Sequence, residues 1–390
     1  MTMIRLLAAD GATSDTELND AGAYTRPTAP LQSRVAYAAA HVVPKVHADN
    51  TPGRPADIDW DATLAFRRNA YSWGLGVADA MDTAQRNMGL DAAATRELIA
   101  RSAEVAREEG GSVVVGVNTD HVDEERISLP QVIDAYVEQL HFTEEQGAGP
   151  VLMASRHLAR VAESRTDYLR VYAAVLQQAT TPVVLHWLGT AFDPQLEGYF
   201  GSGDWRDASG TLLRIIAENP GKVAGVKMSL LNAESEIAVR EQLPEGVRMF
   251  TGDDFNYVGL IGGDTVGQGG SHSDALLGAF AAITPVASAA IQALDAGDPA
   301  RYLEILGPTE ELSRQVFAAP TFYYKTGVAF LSWLNGHQPA FQMVGGLHSA
   351  RSLPHLSRIV ELANASLALE VPELARERWH GMLALNGVTA

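Results

Sequence analysis

Cysteine is absent from this chain of 390 residues. Its absence excludes disulfide bonds, thiolate metal sites and cysteine nucleophiles. Positive charge is also scarce, because 29 Lys and Arg stand against 47 Asp and Glu, for a formal net charge of -18. Nucleic acids and anionic membrane surfaces are bound by basic faces. We therefore expect a small-molecule partner, which needs only a few local donors, and neither a nucleic acid nor a membrane.

The sequence also lacks a hydrophobic run long enough to cross a bilayer. Its most apolar long stretch, residues 275–294, is alanine-rich and interrupted by Thr284-Pro285. Residues 1–18 carry one arginine and a short apolar patch followed by acidic residues, which is not the pattern of a secretory signal. A hydrophobic content of 46% and a charged content of 19% are ordinary for a globular protein. These features predict a soluble, cytoplasmic protein.

Short apolar segments alternate with amphipathic segments along most of the chain. Residues 1–33 show no periodicity and predict an N-terminal arm. The predicted strands are Val35–Val43, Leu75–Met81, Val113–Asn118, Pro150–Ala154, Val183–Trp187, Val223–Met228, Val247–Thr251 and Thr265–Gly269. Eight strand-then-helix units in about 250 residues are typical of an α/β protein with a (β/α)8 TIM barrel. We place the barrel at residues 34–290.

A doubly wound open sheet is the main alternative to a barrel. Such a sheet usually carries a glycine-rich loop after its first strand, and residues 38–44 contain no glycine. Residues 291–390 are almost wholly helical in pattern and predict a C-terminal helical extension. Its aromatic and large apolar side chains indicate a contact surface and hence a homodimer or a larger homo-oligomer: Phe317, Phe322, Tyr323, Tyr324, Phe330, Leu331 and Trp333.

Polar residues follow every predicted strand. Reactive groups of a TIM barrel project from the C-terminal ends of its strands, so these residues are the candidates for chemistry. They are His41; Asp79, Asp82 and Thr83; Asn118, Asp120 and His121; Ser155, Arg156 and His157; His186; Lys227 and Ser229; Thr251, Asp253 and Asp254; and Gln268, Ser271 and His272. A polar set at every strand end favours an enzyme.

Lys227 stands out because it lies inside the apolar segment 223–229 of a chain with only four lysines. Burial disfavours the charged form of a lysine and lowers its pKa. The neutral amine can attack a carbonyl to form a Schiff base. A lysine at a strand end can instead extend its charged head into water. The other lysines, Lys45, Lys222 and Lys325, lie in segments where we expect little reactivity.

Four runs of the sequence form a recognisable pattern: Val183-Val184-Leu185-His186-Trp187, Gly225-Val226-Lys227-Met228-Ser229, Thr251-Gly252-Asp253-Asp254 and Ile261 to Gly267. This pattern resembles the dihydrodipicolinate synthase / N-acetylneuraminate lyase superfamily. The resemblance covers residues 34–290 and identifies the chain as a divergent member. It implies a TIM barrel in which Lys227 forms the Schiff base and no other cofactor is needed.

Two departures from the family pattern point to a different substrate. The family's strand-five tyrosine, a proton relay, is replaced by His186, whose imidazole titrates near neutrality and is a good general acid and base. The family's strand-two carboxylate-binding signature is replaced by the run from Met81 to Arg86. Within that run, Thr83 keeps one hydroxyl and Arg86 is positioned to supply an anion contact.

The sequence therefore predicts a lyase, an aldolase or dehydratase, that forms an imine with a 2-oxo acid or a sugar-derived keto compound. Its predicted catalytic residues are Lys227 and His186. The predicted substrate-binding residues are Asp82, Thr83, Asn118, Asp253, Ser271 and His272, and His272 is also a candidate second proton carrier. The pair Asp253-Asp254 also fits a turn with a helix cap.

Two alternatives remain open at the level of sequence. Imidazole and carboxylate ligands suit a divalent metal such as Zn, Mn or Fe. The five histidines at predicted strand ends, with Asp79, Asp82 or Asp253, would then serve a metal-dependent lyase or isomerase. The second alternative is a barrel that binds a small molecule without catalysis.

Overall fold

Eight parallel strands form a closed barrel in the computed structural model, which describes residues 2–267 and 270–388. An antiparallel hairpin of β1 (Met3–Leu7) and β2 (Thr13–Glu17) precedes the barrel. The barrel strands are β3 (Ala36–Ala39), β4 (Gly76–Asp79), β5 (Val113–Val117), β6 (Gly149–Leu152), β7 (Val183–Leu188), β8 (Val223–Ser229), β9 (Arg248–Thr251) and β10 (Asp274–Leu277). β10 pairs with both β9 and β3 and so closes the barrel. The predicted TIM barrel is confirmed.

Helices surround the strands and continue beyond them. Those of the barrel region are α1 (Trp60–Ser72), α2 (Ala92–Glu109), α3 (Leu129–Glu145), α4 (Arg156–Val161), α5 (Arg165–Gln178), α6 (Trp205–Glu218), α7 (Ala233–Arg240), α8 (Tyr257–Gly262), α9 (Gly278–Ala282) and α10 (Thr284–Asp295). The predicted C-terminal helices are α11 (Pro299–Leu306), α12 (Thr309–Val316), α13 (Tyr324–Leu334), α14 (Leu353–Ala365) and α15 (Pro372–Leu385). None of the helices in the described residues has the length and apolarity that a membrane span requires.

Small and medium apolar side chains fill the inside of the barrel. The inner cluster takes residues from nearly every strand, among them Ala39, Ala78, Val114, Val151, Val184, Phe250 and Leu276. Residues two positions apart on a strand share a face. The side chains that follow this layer toward the C-terminal ends of the strands therefore also point inward. On β7 and β8 these side chains belong to His186 and Lys227.

The predicted eighth strand at Thr265–Gly269 is wrong. Gly263–Val266 forms a 3-10 turn, Gln268 and Gly269 lie outside the described residues, and the closing strand is Asp274–Leu277. Gly263 and Gly267 adopt φ values of +55° and +74°, in the left-handed region that glycine tolerates and extended strands do not use. The three apolar residues after Asp274 pair with β3 instead of starting a helix.

The N-terminal segment is tied to the C-terminal helices. The backbone N–H of Leu7 donates to Oγ of Ser357 at 2.7 Å, and the backbone N–H of Arg5 donates to Nε2 of His380 at 2.9 Å. Ile4 is fully buried. The hairpin thus covers α14 and α15, where the sequence predicted an arm without regular structure.

The aromatic residues of the C-terminal region are used largely within the chain. Phe317 and Phe330 are fully buried, and Tyr324 is nearly so. These side chains therefore form no exposed patch and do not support a homo-oligomer. Assembly stays a prediction: we expect a dimer or larger species by light scattering at micromolar concentration, and a monomer would contradict it.

Candidate active site

Lys227 lies near the C-terminal end of β8 with its side chain inside the barrel. Only 7% of the residue is exposed. Its Nζ makes no hydrogen bond and no ion pair within 4.0 Å to any residue in the described parts of the chain. Burial lowers the pKa of Lys227 below 10.5, and the nearby negative charges of Asp82 and Asp254 oppose that effect. The amine is thus enclosed, free of a direct partner and closer to its neutral form than a surface lysine.

Gly252, just after β9, makes room for this lysine. A Cβ atom at this position would lie 2.9 Å from Cε of Lys227 and 2.2 Å from Oγ of Ser229. Both distances are too short for any side chain. The glycine of the Thr251-Gly252-Asp253-Asp254 run therefore has a packing role beside the lysine.

His186 is the direct neighbour of Lys227 on the adjacent strand. The two residues are paired in the β7–β8 register. Nε2 of His186 lies 3.1 Å from Oγ of Ser229, while its buried Nδ1 has no partner among the described residues. Burial first, and then the positive charge of Lys227, hold the pKa of His186 well below 6.5. The imidazole is therefore neutral at pH 7, with one ring nitrogen unused.

The two aspartates of the Asp253-Asp254 pair have different surroundings, and of the two it is Asp254 whose charge acts on the pKa of Lys227. One carboxylate oxygen of Asp253 accepts the backbone N–H of Phe255 at 2.9 Å, and the other accepts Nδ2 of Asn256 at 2.8 Å. Asp253 is therefore the turn residue that the sequence allowed for, and its role in substrate binding stays a prediction.

Asp254 was among the strand-end candidates but was not selected as a site residue. It is buried, and its Oδ1 accepts the backbone N–H of Ala279 at 2.9 Å, in α9 just after β10. Burial raises the pKa of Asp254 to about 8, while the Ala279 hydrogen bond and the charge of Lys227 act in the other direction. A carboxyl with this pKa, next to an amine, is suited to exchange protons near neutrality.

Helix α13 brings Tyr324 to Thr83 at the mouth of the barrel. The hydroxyl of Tyr324 and Oγ1 of Thr83 are 2.8 Å apart, and the ring of Tyr324 stacks on Phe317 with centroids 4.4 Å apart. A Cβ atom at Gly278 would touch both rings at 3.0 Å. The hydroxyl of Thr83 is thus bound to the C-terminal region, and half-buried Asp82 lies beside it.

Lys325 is a second buried lysine, contrary to the expectation of an unremarkable amine. It is 2% exposed, and its Nζ donates to Sδ of Met88 at 3.2 Å and to the carbonyl of Phe322 at 3.1 Å. Burial lowers the pKa of Lys325 to about 8, and the charge of Asp82, which also acts on Lys227, partly offsets this effect. Any test of Lys227 therefore needs Lys325 as its control.

Arg86 does not supply an anion contact. Its guanidinium pairs with Asp120 and Gln139 and also donates to the carbonyls of Ala80 and Gly116 at 3.1 and 2.7 Å. Because all its donor groups have acceptors, Arg86 holds the ends of β4 and β5 together. It has no donor left for a substrate.

Ser271 and His272 lie at the wrong end of the barrel for the predicted site. They are exposed and precede β10, so they are at its N-terminal end, whereas Lys227 is near the C-terminal end of β8. The misplaced eighth strand explains this error, since both residues were predicted to follow it. Their assignment to substrate binding and to proton transfer is therefore withdrawn.

The remaining histidines are separated from one another. His41 bonds Gln338 at 2.8 Å, His121 bonds Gln139 at 2.8 Å, and His157 bonds Thr119 at 2.8 Å. The carboxylate of Asp79 forms a fully buried ion pair with Arg67 at 2.9 Å. Within residues 2–267 and 270–388, no three His, Asp or Glu side chains are grouped so as to hold a metal ion. The geometry therefore provides no ligand set for the metal-dependent alternative.

Solved structures of dihydrodipicolinate synthases have the same fold. A putative dihydrodipicolinate synthetase from Pseudomonas aeruginosa superposes with a TM-score of 0.62 at 15% identity, over 85% of this chain and 99% of that one. The synthase from Aquifex aeolicus gives 0.61 at 15% identity, over 86% and 100%. That from Bacteroides thetaiotaomicron gives 0.60 at 15% identity, over 83% and 98%. The resemblance drawn from the sequence is thus confirmed at the level of the fold.

The comparison of sequences gives a narrower result. None of the curated proteins matches the chain. One family matches residues 4–388, nearly the whole length, and its description is "Protein of unknown function (DUF993)". The chain is therefore a member of the DUF993 family, built on the barrel of the dihydrodipicolinate synthases.

Proposed function

We propose that this protein is a lyase, an aldolase or dehydratase, that forms a Schiff base with a 2-oxo acid or a sugar-derived keto compound. One observation carries the proposal: the amine of Lys227 is buried at the mouth of the barrel, with a lowered pKa and without an ion pair in the described residues. A lysine that only extended its head into water would be neither so enclosed nor so perturbed.

The reaction begins when the neutral amine of Lys227 attacks the carbonyl carbon of the substrate. A C–N bond forms, the carbonyl oxygen takes up protons, and loss of water leaves a cationic imine. The imine then accepts the electron pair of a breaking C–C bond, or that of a C–H bond on the neighbouring carbon, after which the next oxygen takes up a proton and leaves with its own bonding pair as water. Hydrolysis of the imine releases the product and returns the amine. The chemistry requires no metal or other cofactor.

His186 and Asp254 are the proton carriers in this proposal. The neutral imidazole of His186 accepts a proton through its unused Nδ1 or through Nε2, which faces Ser229. Burial raises the pKa of the Asp254 carboxyl to about 8, so this group holds a proton nearer to neutrality than an ordinary aspartate does and can donate it to the departing oxygen. Thr83 and Asp82 are assigned as substrate contacts because they follow β4, at the same end of the barrel as Lys227. We also propose that the protein acts in the cytoplasm, as its acidic composition and lack of cysteine suggest.

The pH dependence of imine trapping tests this proposal. The protein is incubated with a panel of 2-oxo acids and keto sugars plus borohydride, and the rate of inactivation is followed from pH 6 to 11. Because only the neutral amine reacts, the rate should rise with pH and level off below 10.5, the ordinary pKa of lysine. A midpoint at or above 10.5 would contradict an activated lysine. Turnover without inactivation would rule out the imine, and ligand binding without turnover would favour a non-catalytic barrel.

A further inference from the structure

A cavity of about 200 Å³ opens at the C-terminal ends of β5 and β6. Its lining includes Asn118 and Thr119 after β5, Arg156, His157 and Arg160 of α4, and the acidic segment from Asp123 to Glu125. These residues lie at the same end of the barrel as Lys227. The cavity is large enough for a carboxylate or phosphate group with its first carbons.

Arg156 lines this cavity and has N–H donors that no described residue accepts. Its Nε donates to Oδ2 of Asp193 at 2.6 Å, and Asp193 is itself buried and accepts the backbone N–H of Gln195 at 3.1 Å. Neither terminal amino group of Arg156 has an acceptor within hydrogen-bond distance among the described residues. The Asp193 contact therefore fixes the guanidinium while leaving its outer edge open.

The neighbouring basic side chains are already in use. Arg160 donates to the carbonyl of Glu125 at 2.8 Å and pairs with Gln195. His157 has partners at both ring nitrogens, Thr119 at 2.8 Å and the carbonyl of Glu124 at 2.8 Å. Both terminal amino groups of Arg160 have an acceptor, whereas those of Arg156 have none among the described residues, so Arg156 is the basic group of the cavity with more donors left for a ligand.

Asn118 adds a second donor from inside the barrel. It is 3% exposed, and its Oδ1 accepts the backbone N–H of Thr119 at 2.8 Å. That contact orients the amide, so its Nδ2 is the group left for the cavity, without an acceptor in the described residues. This N–H₂ group is accessible from the cavity, where a ligand oxygen can accept a hydrogen bond from it.

The acidic residues at the rim of the cavity do not neutralise the positive charge of Arg156. Asp123, Glu124 and Glu125 are exposed, so water and salt screen their charges. Asp120, at the same rim, is paired with Arg86. The enclosed side of the cavity therefore presents a guanidinium edge and an amide N–H₂, the donors that fit the two oxygens of a carboxylate or phosphate.

We propose that Arg156 and Asn118 bind a second anionic group of the substrate while its carbonyl meets Lys227. The inference rests on the proposed function and narrows its substrate class to 2-oxo acids with a terminal carboxylate or phosphate. Geometry supports the pairing: Asn118 directly follows β5, Arg156 begins the helix after β6, and Lys227 lies near the end of β8, so all three are at the C-terminal end of the barrel.

Matched substrates test the inference. Imine trapping is compared between 2-oxopentanoate, 2-oxoglutarate and 2-oxo-4-phosphonobutanoate, which differ in the terminal group, and between the corresponding four- and six-carbon acids. For at least one of these chain lengths, the acid with a terminal anionic group should be trapped about tenfold to a hundredfold faster than the acid of the same length that lacks it. The carboxylate and phosphonate arms show which anion the cavity prefers.

Variants assign the preference to the cavity. Arg156→Gln should remove it, Arg156→Lys should keep part of it, and Arg170→Gln, at an exposed position on α5, should leave it unchanged. Equal trapping of dianions and monoanions at every length, or a preference that survives Arg156→Gln, would overturn the inference and leave the lyase proposal standing.

Thermal melting without borohydride separates the two proposals. The dianions should raise the melting temperature more than the monoanions do, and Arg156→Gln should abolish the difference. If this difference is found but no compound is trapped, the anion subsite is supported and the Schiff-base function is wrong. If neither trapping nor melting distinguishes the compounds, the anion subsite is wrong.

Discussion

Lys227→Arg is expected to abolish imine trapping and to lower turnover by at least about a thousandfold. A guanidinium remains protonated at every usable pH and cannot attack a carbonyl. The positive charge that Asp82 and Asp254 face is kept, so we expect the barrel to stay folded. The rate of inactivation by borohydride is measured in the presence of a 2-oxo acid that the unmodified protein traps. A circular dichroism melt of each variant shows whether it is folded.

Two further variants make this result decisive. Lys227→Met removes the amine while keeping an unbranched stem next to Gly252, in case the larger guanidinium strains that contact. Lys325→Arg is the matched control, because Lys325 is also buried and also has a lowered pKa. It should keep trapping at Lys227. Loss of trapping in Lys325→Arg together with retention in Lys227→Arg would show that Lys325, and not Lys227, forms the imine.

His186→Phe is expected to lower turnover by about a hundredfold or more while leaving imine formation partly intact. The position is fully buried, so an aromatic ring of similar shape is tolerated better than a small residue. The substitution removes both ring nitrogens and hence the proton relay, but not the amine of Lys227. Single-turnover trapping and steady-state turnover, measured on the same preparation, separate the two steps.

Ser229→Ala is the control for His186. It removes the hydroxyl that contacts Nε2 at 3.1 Å but leaves the imidazole in place. We expect a smaller loss than in His186→Phe. Turnover at the level of the unmodified protein in His186→Phe would show that the imidazole only fills space beside the lysine.

Much of the fold and the centre of the site could be predicted from local sequence patterns. Seven barrel strands were found from short apolar segments, and a buried strand leaves such a mark in its own residues. The pairing of His186 with Lys227 follows from two neighbouring strands in parallel register, so their meeting could be expected once both strands were placed.

Errors arose where the decisive contact was distant or depended on side-chain direction. Tyr324 meets Thr83 across 241 positions in the chain, and nothing near Tyr324 indicates that α13 returns to the barrel mouth. Between Asp253 and Asp254, the choice depends on which carboxylate the turn uses for its own backbone. The eighth strand was misplaced because a glycine-rich turn lies just before it, and Ser271 and His272 were misplaced with it.

The most direct test of the account is the location of the borohydride adduct. The full-length protein is treated with borohydride and each 2-oxo acid or keto sugar, digested, and examined by peptide mass spectrometry for the mass of the reduced substrate. The account predicts that the adduct lies on the peptide containing Lys227 and is absent from those containing Lys45, Lys222 and Lys325. An adduct on Lys325 in place of Lys227, or turnover of a substrate that leaves no adduct on any lysine, would contradict it.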